Sequence, residues 1–128
     1  MAIKYCPREK GQPGVVGGGK KKFYATIVTD GEATIDDLVR DIEKFSTLSE
    51  PDIRAVIIAL ENAIEAKLGD GRIVRLECLG SLYPTLSSEG MDKAEDVNAR
   101  SIKELNINYR PSERLKKAIN NATLVKVS

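Results

Sequence analysis

The stretch from Gly71 to Leu86 constrains the fold more than any other part of the chain. Apolar residues at positions 73, 74, 76 and 78, with β-branched side chains early in the run, are typical of a β-strand. We therefore predict a strand from Arg72 to Cys78. Gly80 then interrupts the extended pattern, and a glycine inside a strand usually marks a bulge, a kink or a close approach of two backbones. Leucines at positions 79, 82 and 86 continue the apolar surface.

Two amphipathic helical patterns precede this stretch. Thr34 is the predicted N-cap of the first, in which apolar residues at positions 35, 38, 39, 42 and 45 share one helix face. Ser49 and Pro51 begin the second, which ends at the turn formed by residues 69–71. The apolar stripe of the second helix is wide, and such a helix packs against more than one partner. An intramolecular core and a dimer interface would together supply these partners.

A polar segment, a strand and a short basic helix follow the central stretch. Residues 91–101 are polar and irregular, with one helical possibility at residues 93–97. Alternating apolar and polar side chains predict a half-buried strand over residues 104–110. Residues 113–120 predict a short helix with its basic side chains outward and with Leu115 and Ile119 inward. The tail from residue 122 predicts either a loose strand or a disordered segment.

The N-terminal part of the chain has its own pattern. Two strand patterns, Ile3 to Cys6 and Phe23 to Thr29, flank a glycine-rich segment from Gly11 to Gly19 that predicts a flexible loop, and we expect the strands to pair. Residues 14–20 match the start of a phosphate-binding loop, but Lys21 stands where Ser or Thr would hold magnesium. A strand also follows where that motif requires a helix. The pattern therefore favours a loop with a lysine cluster over a nucleotide site.

Composition excludes several classes of function. The chain has 128 residues and is 41% hydrophobic, which is typical of one globular domain. It has no histidine and two widely separated cysteines, which disfavours a disulfide framework, a zinc site and histidine-dependent catalysis. No apolar run approaches the roughly 20 residues of a membrane span, and no signal-peptide pattern is visible. We therefore expect a cytoplasmic protein without a cofactor, a bound metal or a membrane partner.

The net charge of +1 conceals a polarised distribution. Residues 1–30 hold six basic and two acidic side chains, whereas residues 31–70 hold four basic and ten acidic ones. Residues 111–128 are again basic, with four basic side chains and one acidic one. A basic face could bind an anionic polymer, but charged faces also simply sit in water. The charge pattern alone leaves both interpretations open.

The order of helix, helix, strand, strand, polar excursion, strand and short basic helix resembles the bacterial HU and integration host factor family. The resemblance is carried by two motif fragments, Gly71-x-x-Val74-x-Leu76-x-x-Leu79-Gly80-Ser81-Leu82 and Tyr109-Arg110-Pro111-Ser112-x-x-Leu115-Lys116. Leucines replace aromatic residues at two core positions, and Cys78 and Ser112 replace glycines of the family pattern. The resemblance covers Thr34 to Asn120. Residues 1–30 resemble the N-terminal extension of an HU-like subgroup.

The resemblance implies an α+β fold with a two-helix hairpin, a three-stranded antiparallel sheet with a β-arm, and a short C-terminal helix. Residues 1–30 would form an N-terminal extension of a strand, a glycine-rich loop and a second strand, and residues 31–128 an HU-like DNA-binding domain. The family forms intertwined dimers, so we expect a homodimer. Its predicted interface residues lie on the second helix and the central stretch: Ile57, Leu60, Ile64, Leu76, Leu79 and Leu82.

The function that the resemblance implies is largely sequence-independent binding and bending of double-stranded DNA in the nucleoid, without an enzymatic activity or a small-molecule substrate. Cations would neutralise phosphates and release counterions, while arms would enter the minor groove. The predicted DNA-binding residues are basic side chains from the N-terminal region, the sheet and the last helix: Lys20, Lys21, Lys22, Arg72, Arg75, Arg100, Lys103, Arg110, Arg114, Lys116 and Lys117.

The segment that corresponds to the arm departs from the family pattern. It lacks the arginine-asparagine-proline tip, and residues 87–108 hold three basic and five acidic side chains. Lys20 to Lys22 would supply charge that the arm lacks if the N-terminal strand lay beside the sheet. An HU-like scaffold with weak or lost DNA binding, acting in protein interaction or self-assembly, is the alternative. A third hypothesis, catalysis by Asp36, Asp37 or Asp41, competes with the simpler interpretation of a solvated helix face.

Overall fold

The structure, a computed structural model, describes residues 1–11, residue 14 and residues 16–128. The described helices are α1 (Ile35–Phe45), α2 (Glu50–Gly69) and α3 (Glu113–Asn120), and the described strands are β1 (Ala2–Lys10), β2 (Lys22–Val28), β3 (Val74–Arg75), β4 (Gly80–Ser88), β5 (Ile102–Pro111) and β6 (Thr123–Lys126). The chain divides into two compact units, one of residues 1–38 with 118–128 and the other of residues 39–117. The predicted α+β class is confirmed.

The first unit contains a mixed sheet with the strand order β2-β1-β6. β1 and β2 pair antiparallel from Lys4 opposite Val28 to Lys10 opposite Lys22, which confirms the predicted pairing and extends both strands toward the loop. β6 pairs in parallel with the first half of β1. The C-terminal tail is therefore a strand, because β1 offers it a free edge. The glycine-rich loop predicted over residues 11–19 includes Gln12, Pro13 and Val15, which lie outside the described residues.

The two long helices begin where the capping signals predict. The Asp37 N–H donates to Thr34 Oγ1 at 3.4 Å, and the Thr34 N–H donates to the Asp37 carboxylate at 3.0 Å, which is a reciprocal cap of α1. At the start of α2 the Ser49 hydroxyl instead donates to Asp52 Oδ2 at 2.8 Å and makes no side-chain cap. Pro51 fits the first turn of α2, because a helix leaves those N–H groups without intrahelical partners.

The second unit contains an antiparallel sheet with the strand order β3-β4-β5. β3 is much shorter than the predicted strand from Arg72 to Cys78, since only Val74 and Arg75 pair with β4. The chain then reverses, and the Leu79 N–H donates to the Leu76 carbonyl at 2.8 Å. Glu77 adopts a positive φ of 37° within this turn. The apolar residues that predicted one long strand are thus divided between a short strand and a tight turn.

Gly80 makes the close backbone approach that its position predicts. Its φ is 127°, and a Cβ atom there would collide with the carbonyl oxygen of Arg110 in β5. β4 pairs with β5 from Gly80 opposite Pro111 to Ser88 opposite Ile102, with an irregularity at the far end. The absence of a side chain at residue 80 therefore allows the two strands to pair from their base.

The register of β4 and β5 gives their sheet one apolar and one polar face, because successive side chains of a strand point to opposite sides. The apolar face contains three opposed pairs: Leu82 with Tyr109, Pro84 with Ile107, and Leu86 with Leu105. The polar face contains Ser81 with Arg110, Tyr83 with Asn108, and Thr85 with Asn106. An open cleft of about 710 Å³ is lined by the apolar face and by α2, including Ile64 and Leu68.

Much apolar surface stays uncovered in the single chain. Among the described residues, Val39 and Ile53 are the fully buried hydrophobic side chains. By contrast, Phe45 is 88% exposed and Leu105 is 72% exposed. Ile119 in α3 was predicted to point inward, but it is 62% exposed, so that prediction is wrong for the single chain. Exposed apolar residues in contiguous groups usually mark an interaction surface.

We expect Gly80→Ala to destabilise the protein by at least about 2 kcal/mol, because the added methyl group meets the Arg110 carbonyl and the backbone is in the left-handed region. Urea unfolding followed by circular dichroism measures the change. Gly69→Ala is the matched control, since no atom lies within 4 Å of its Cβ position. That control should keep or raise stability by up to about 1 kcal/mol. Equal stability of the two variants would contradict the close approach at Gly80.

Candidate nucleic-acid interface

The polar face of the antiparallel sheet brings two of the predicted cations together. Arg75 lies opposite Ser81, and Ser81 lies opposite Arg110. Opposed residues have Cβ atoms about 4.5–5.5 Å apart, so two guanidinium groups flank one small hydroxyl side chain. An open hollow of about 230 Å³ is lined by this row together with Ile73 and Tyr83. We call the three residues Arg75, Ser81 and Arg110 the arginine row.

No acidic side chain among the described residues compensates the two arginines of the arginine row. In the part of the chain that the structure describes, neither Arg75 nor Arg110 forms a salt bridge. Two unneutralised guanidinium groups on one exposed sheet face attract an anion, and the planar fork of arginine matches the oxygens of a phosphate.

Neutral polar side chains continue this face along the two long strands. Tyr83 lies opposite Asn108, and Thr85 lies opposite Asn106. Their hydroxyl and amide groups can donate hydrogen bonds to phosphate oxygens. Glu104 lies farther along the same face and carries a negative charge. The positive charge is thus concentrated at the end of the sheet that holds the arginine row. Sequence reasoning named the two arginines but not the four neutral residues, although their alternation with apolar positions was the available signal.

A hydrogen-bonded latch holds the turn after β3 against the end of β5. The Tyr109 hydroxyl donates to the Leu79 carbonyl, and the Ser112 hydroxyl donates to the Cys78 carbonyl at 2.6 Å. Ser112 Oγ also accepts the Leu115 N–H at 3.2 Å and so caps the first turn of α3. One serine, at a position where the family pattern has glycine, therefore connects the turn, the strand and the helix around the arginine row.

Arg72 does not lie on the strand where it was predicted. Its N–H donates to the Lys67 carbonyl at 3.1 Å, so it belongs to the turn that ends α2. The prediction that Arg72 and Arg75 share one strand is wrong, because β3 contains only two residues. That Arg72 contacts a DNA phosphate stays a prediction.

The predicted cations of α3 are solvent-exposed. Arg114, Lys116 and Lys117 lie in the first two turns of the helix that follows β5. Lys116 Nζ lies 3.6 Å from the Glu113 carboxylate, and both side chains are largely exposed. An exposed ion pair of this kind contributes little to stability, so Lys116 can exchange its partner for a phosphate.

The connection between β4 and β5 is folded into short turns. It contains the 3₁₀ turns Ala94–Asp96 and Ala99–Ser101, the first of which matches the helical possibility in the sequence. Ser101 is 1% exposed, and its hydroxyl donates to the Asn98 carbonyl at 2.6 Å. The Arg100 N–H donates to Asn98 Oδ1 at 2.9 Å. Lys103 lies beside the irregularity in the pairing of β4 with β5.

The same connection carries mostly negative charge. Residues 89–101 hold four acidic side chains and two basic ones. The acidic ones are Glu89, Asp92, Glu95 and Asp96, and all are exposed. Such a segment repels a phosphate backbone along most of its length.

The remaining predicted cations belong to the first unit. Lys22 begins β2 opposite Lys10, and Lys20 and Lys21 precede it. All three lysines are exposed, as their sequence context predicts.

The predicted dimer-interface residues are half-buried or exposed in the single chain. Ile64 lines the apolar cleft, while Leu60 is 47% exposed and Leu79 is 53% exposed. Ile57, Leu76 and Leu82 are half-buried. Leu105 and Ile107 also line the cleft. They were not predicted as interface residues, because the alternation of a strand does not tell which of its faces a partner covers.

The described residues contain no group of three or more His, Cys, Asp or Glu side chains that could hold a metal ion. Asp37, one of the candidate catalytic carboxylates, accepts hydrogen bonds from the N–H and the hydroxyl of Thr34. Within the described ranges, no helix combines the length and the apolar character that crossing a membrane requires.

Comparison with protein families shows which family the chain belongs to. The model of a family described as "HU domain fused to wHTH, Ig, or Glycine-rich motif" (HU-HIG) matches residues 1–126. The chain therefore belongs to the HU-HIG family. The resemblance to HU proteins is confirmed, whereas the subgroup with an N-terminal extension stays a prediction.

A solved structure has a similar fold. It is the crystal structure of a "Putative bacterial DNA binding protein" from Bacteroides vulgatus ATCC 8482, with a TM-score of 0.67 and 12% sequence identity. The alignment covers 98% of this chain and 48% of that one, so this chain spans about half of its length. At this identity the likeness concerns the fold alone. No curated protein matches the sequence.

We expect Ser112→Ala to destabilise the protein by about 1–2 kcal/mol, because it removes both a helix cap and the hydrogen bond to the Cys78 carbonyl. Chemical unfolding monitored by circular dichroism gives the value. Ser87→Ala is the control, since this exposed hydroxyl makes no hydrogen bond among the described residues. If the two variants lost the same stability, the latch would not contribute.

Proposed function

We propose that this chain is an HU-like protein that binds double-stranded DNA with little sequence preference, through the polar face of its antiparallel sheet. The observation that carries the proposal is the arginine row, which presents two unneutralised cations on one exposed face. Membership of the HU-HIG family supports it. The description of the structural neighbour as a DNA-binding protein supports it as well.

The proposed mechanism is electrostatic. Arg75 and Arg110 neutralise phosphates and release the counterions condensed on the duplex, which supplies affinity without reading the bases. Asn106, Asn108 and Thr85 donate hydrogen bonds to phosphate oxygens and orient the sheet on the backbone. Contacts of this kind position a protein on DNA without carrying sequence information. Further proposed phosphate contacts come from the other predicted cations of this unit: Arg72, Arg100, Lys103, Arg114, Lys116 and Lys117.

We further propose that a homodimer of this chain bends the duplex and acts in the nucleoid. In this arrangement α1 and α2 form a two-helix hairpin, residues 31–128 form the HU-like domain, and residues 1–30 are an extension of it. Two copies would place two polar sheet faces along one duplex, and a protein that grips DNA at two such points can hold it bent.

A second copy of the chain is the proposed occupant of the uncovered apolar surface. The cleft of about 710 Å³ is lined mainly by apolar groups of α2 and the sheet, and the neighbouring helix positions stay exposed. Small domains that leave their apolar faces open commonly gain stability by association. The predicted interface residues Leu60 and Ile64 lie on the same helix that lines the cleft.

We expect the protein to have the mass of two chains by size-exclusion chromatography with light scattering. Leu60→Glu should convert it to a monomer or unfold it, because burying a carboxylate against an apolar partner is costly. Ile119→Glu is the control, since this exposed α3 residue lies outside the predicted interface. A dimer that survives Leu60→Glu would place the interface elsewhere.

The alternative function is protein interaction or self-assembly on an HU-like scaffold. The acidic connection between β4 and β5 favours it, because that segment does not suit a phosphate backbone. Such a protein would bind duplex DNA weakly, and its partner would carry a basic surface.

We expect fluorescence anisotropy to show binding of a labelled 30-base-pair duplex with a steep dependence on salt. Log affinity falls with log salt, with a slope of about −0.9 per phosphate contact. Replacing both arginines, Arg75→Gln with Arg110→Gln, should therefore make this slope less steep by about 2. The control is Lys44→Gln with Lys67→Gln, which removes the same charge from two exposed helix positions. No binding by the unmodified protein at low salt would overturn DNA binding and favour the alternative.

A further inference from the structure

The free end of the N-terminal hairpin is a two-stranded ribbon. β6 pairs only with residues Ala2 to Tyr5 of β1. Beyond that point β1 and β2 continue to pair with each other, from Cys6 opposite Thr26 to Lys10 opposite Lys22. This part of the hairpin therefore extends past the third strand of its sheet. We call residues 6–10 and 22–26 the ribbon.

One face of the ribbon is cationic. The register places Arg8 opposite Tyr24 and Lys10 opposite Lys22, and alternation along β1 puts these side chains on the same face. Glu9 is the acidic residue of the ribbon, and it lies opposite Phe23 on the other face. Three positive charges thus share one side of a narrow antiparallel pair, while the negative charge points away from them.

The three cations are exposed, and no acidic side chain in the described part of the chain compensates them. Arg8, Lys10 and Lys22 are all exposed, whereas Tyr24 beside them is half-buried. In the described part of the chain none of the three forms a salt bridge. Lys4, nearer the base of the same face, does have a partner, since its Nζ lies 3.2 Å from the Asp30 carboxylate. The uncompensated charge is therefore located at the free end of the hairpin.

We propose that the ribbon is a DNA-binding arm, in which Arg8, Lys10 and Lys22 hold phosphates of double-stranded DNA. The inference rests on the proposed function and extends it to a second surface of the chain. Charge complementarity favours a polyanion as the partner. A two-stranded antiparallel ribbon is also narrow enough for the major groove of B-DNA. Lys20 and Lys21 directly precede β2 in the connection of the same hairpin and add to its positive charge.

The hairpin formed by β4 and β5 has the opposite charge to the ribbon. The connection between β4 and β5 is acidic and contains two short 3₁₀ turns, with Ser101 buried at its end. The ribbon has the opposite character, with three exposed cations on one face and no turn structure along its paired residues. Of the two hairpins, the N-terminal one has the charge that an arm on DNA requires.

The test is a salt titration of the affinity for a labelled 30-base-pair duplex. The arm variant combines Arg8→Gln, Lys10→Gln and Lys22→Gln in the full chain. Its slope of log affinity against log salt should be less steep than that of the unmodified protein by 2 to 3, because each lost phosphate contact removes about 0.9. Each single variant should make the slope less steep by about 0.9, so the test stays valid if the triple variant folds poorly.

The control variant combines Lys44→Gln, Lys67→Gln and Lys126→Gln. It changes the net charge by the same amount at exposed positions, one of which, Lys126, lies opposite Tyr5 on the other face of the same sheet. Its slope should stay within about 0.5 of the unmodified protein, because no phosphate contact is removed. Circular dichroism checks that each variant is folded.

The outcomes separate the two proposals. If the unmodified protein does not bind DNA at low salt, the proposed function fails, and the arm fails with it. If the unmodified protein binds with a steep slope that the arm variant shares, DNA binding stands and the arm is overturned. Equal losses in the arm and control variants would show an effect of net charge and would also overturn the arm. A loss confined to the arm variant supports it.

Discussion

The pairing of β4 with β5 is the interaction on which the rest of the second unit depends. It starts where Gly80 approaches the Arg110 carbonyl more closely than a side chain would allow. Because the side-chain period of a strand is two, this register decides which residues face α2 and which face outward. A slip of one residue would put Arg110 on the apolar side and Tyr109 on the polar side. The latch through Ser112 and Tyr109 holds the adjoining turn in the same register.

The two faces that follow from this register have different requirements. The polar face meets water with the arginine row and amide groups, and it suits a phosphate backbone. The apolar face and α2 leave an open cleft of about 710 Å³ in a single chain. Association through the apolar face and DNA binding through the polar face are therefore compatible, since they use opposite sides of one sheet. This division links the proposed dimer to the proposed interface.

The sheet faces of this chain separate positive from negative side chains, although the net charge is close to zero. A net charge of +1 gives no reason to expect a polyanion as a partner. The strands nevertheless separate the signs, because alternation sends Glu9 to one side of the ribbon and Arg8 and Lys10 to the other. In the same way Arg75 and Arg110 flank Ser81, although they are 35 positions apart in the sequence. Local fields on such faces matter for an anionic partner more than the total does.

The sequence by itself determined the helices, the α+β class and the family. The starts of α1 and α2 depend on nearby residues such as Thr34 and Pro51, and helix periodicity is a local property. What only the tertiary structure decided is long-range: the turn that shortens β3, the strand formed by the C-terminal tail, and the placement of Arg75 and Arg110 on either side of Ser81. A turn or an edge strand is stabilised by partners distant in the chain, here Ser112 for the turn and β1 for β6. No pattern confined to neighbouring residues records such partners.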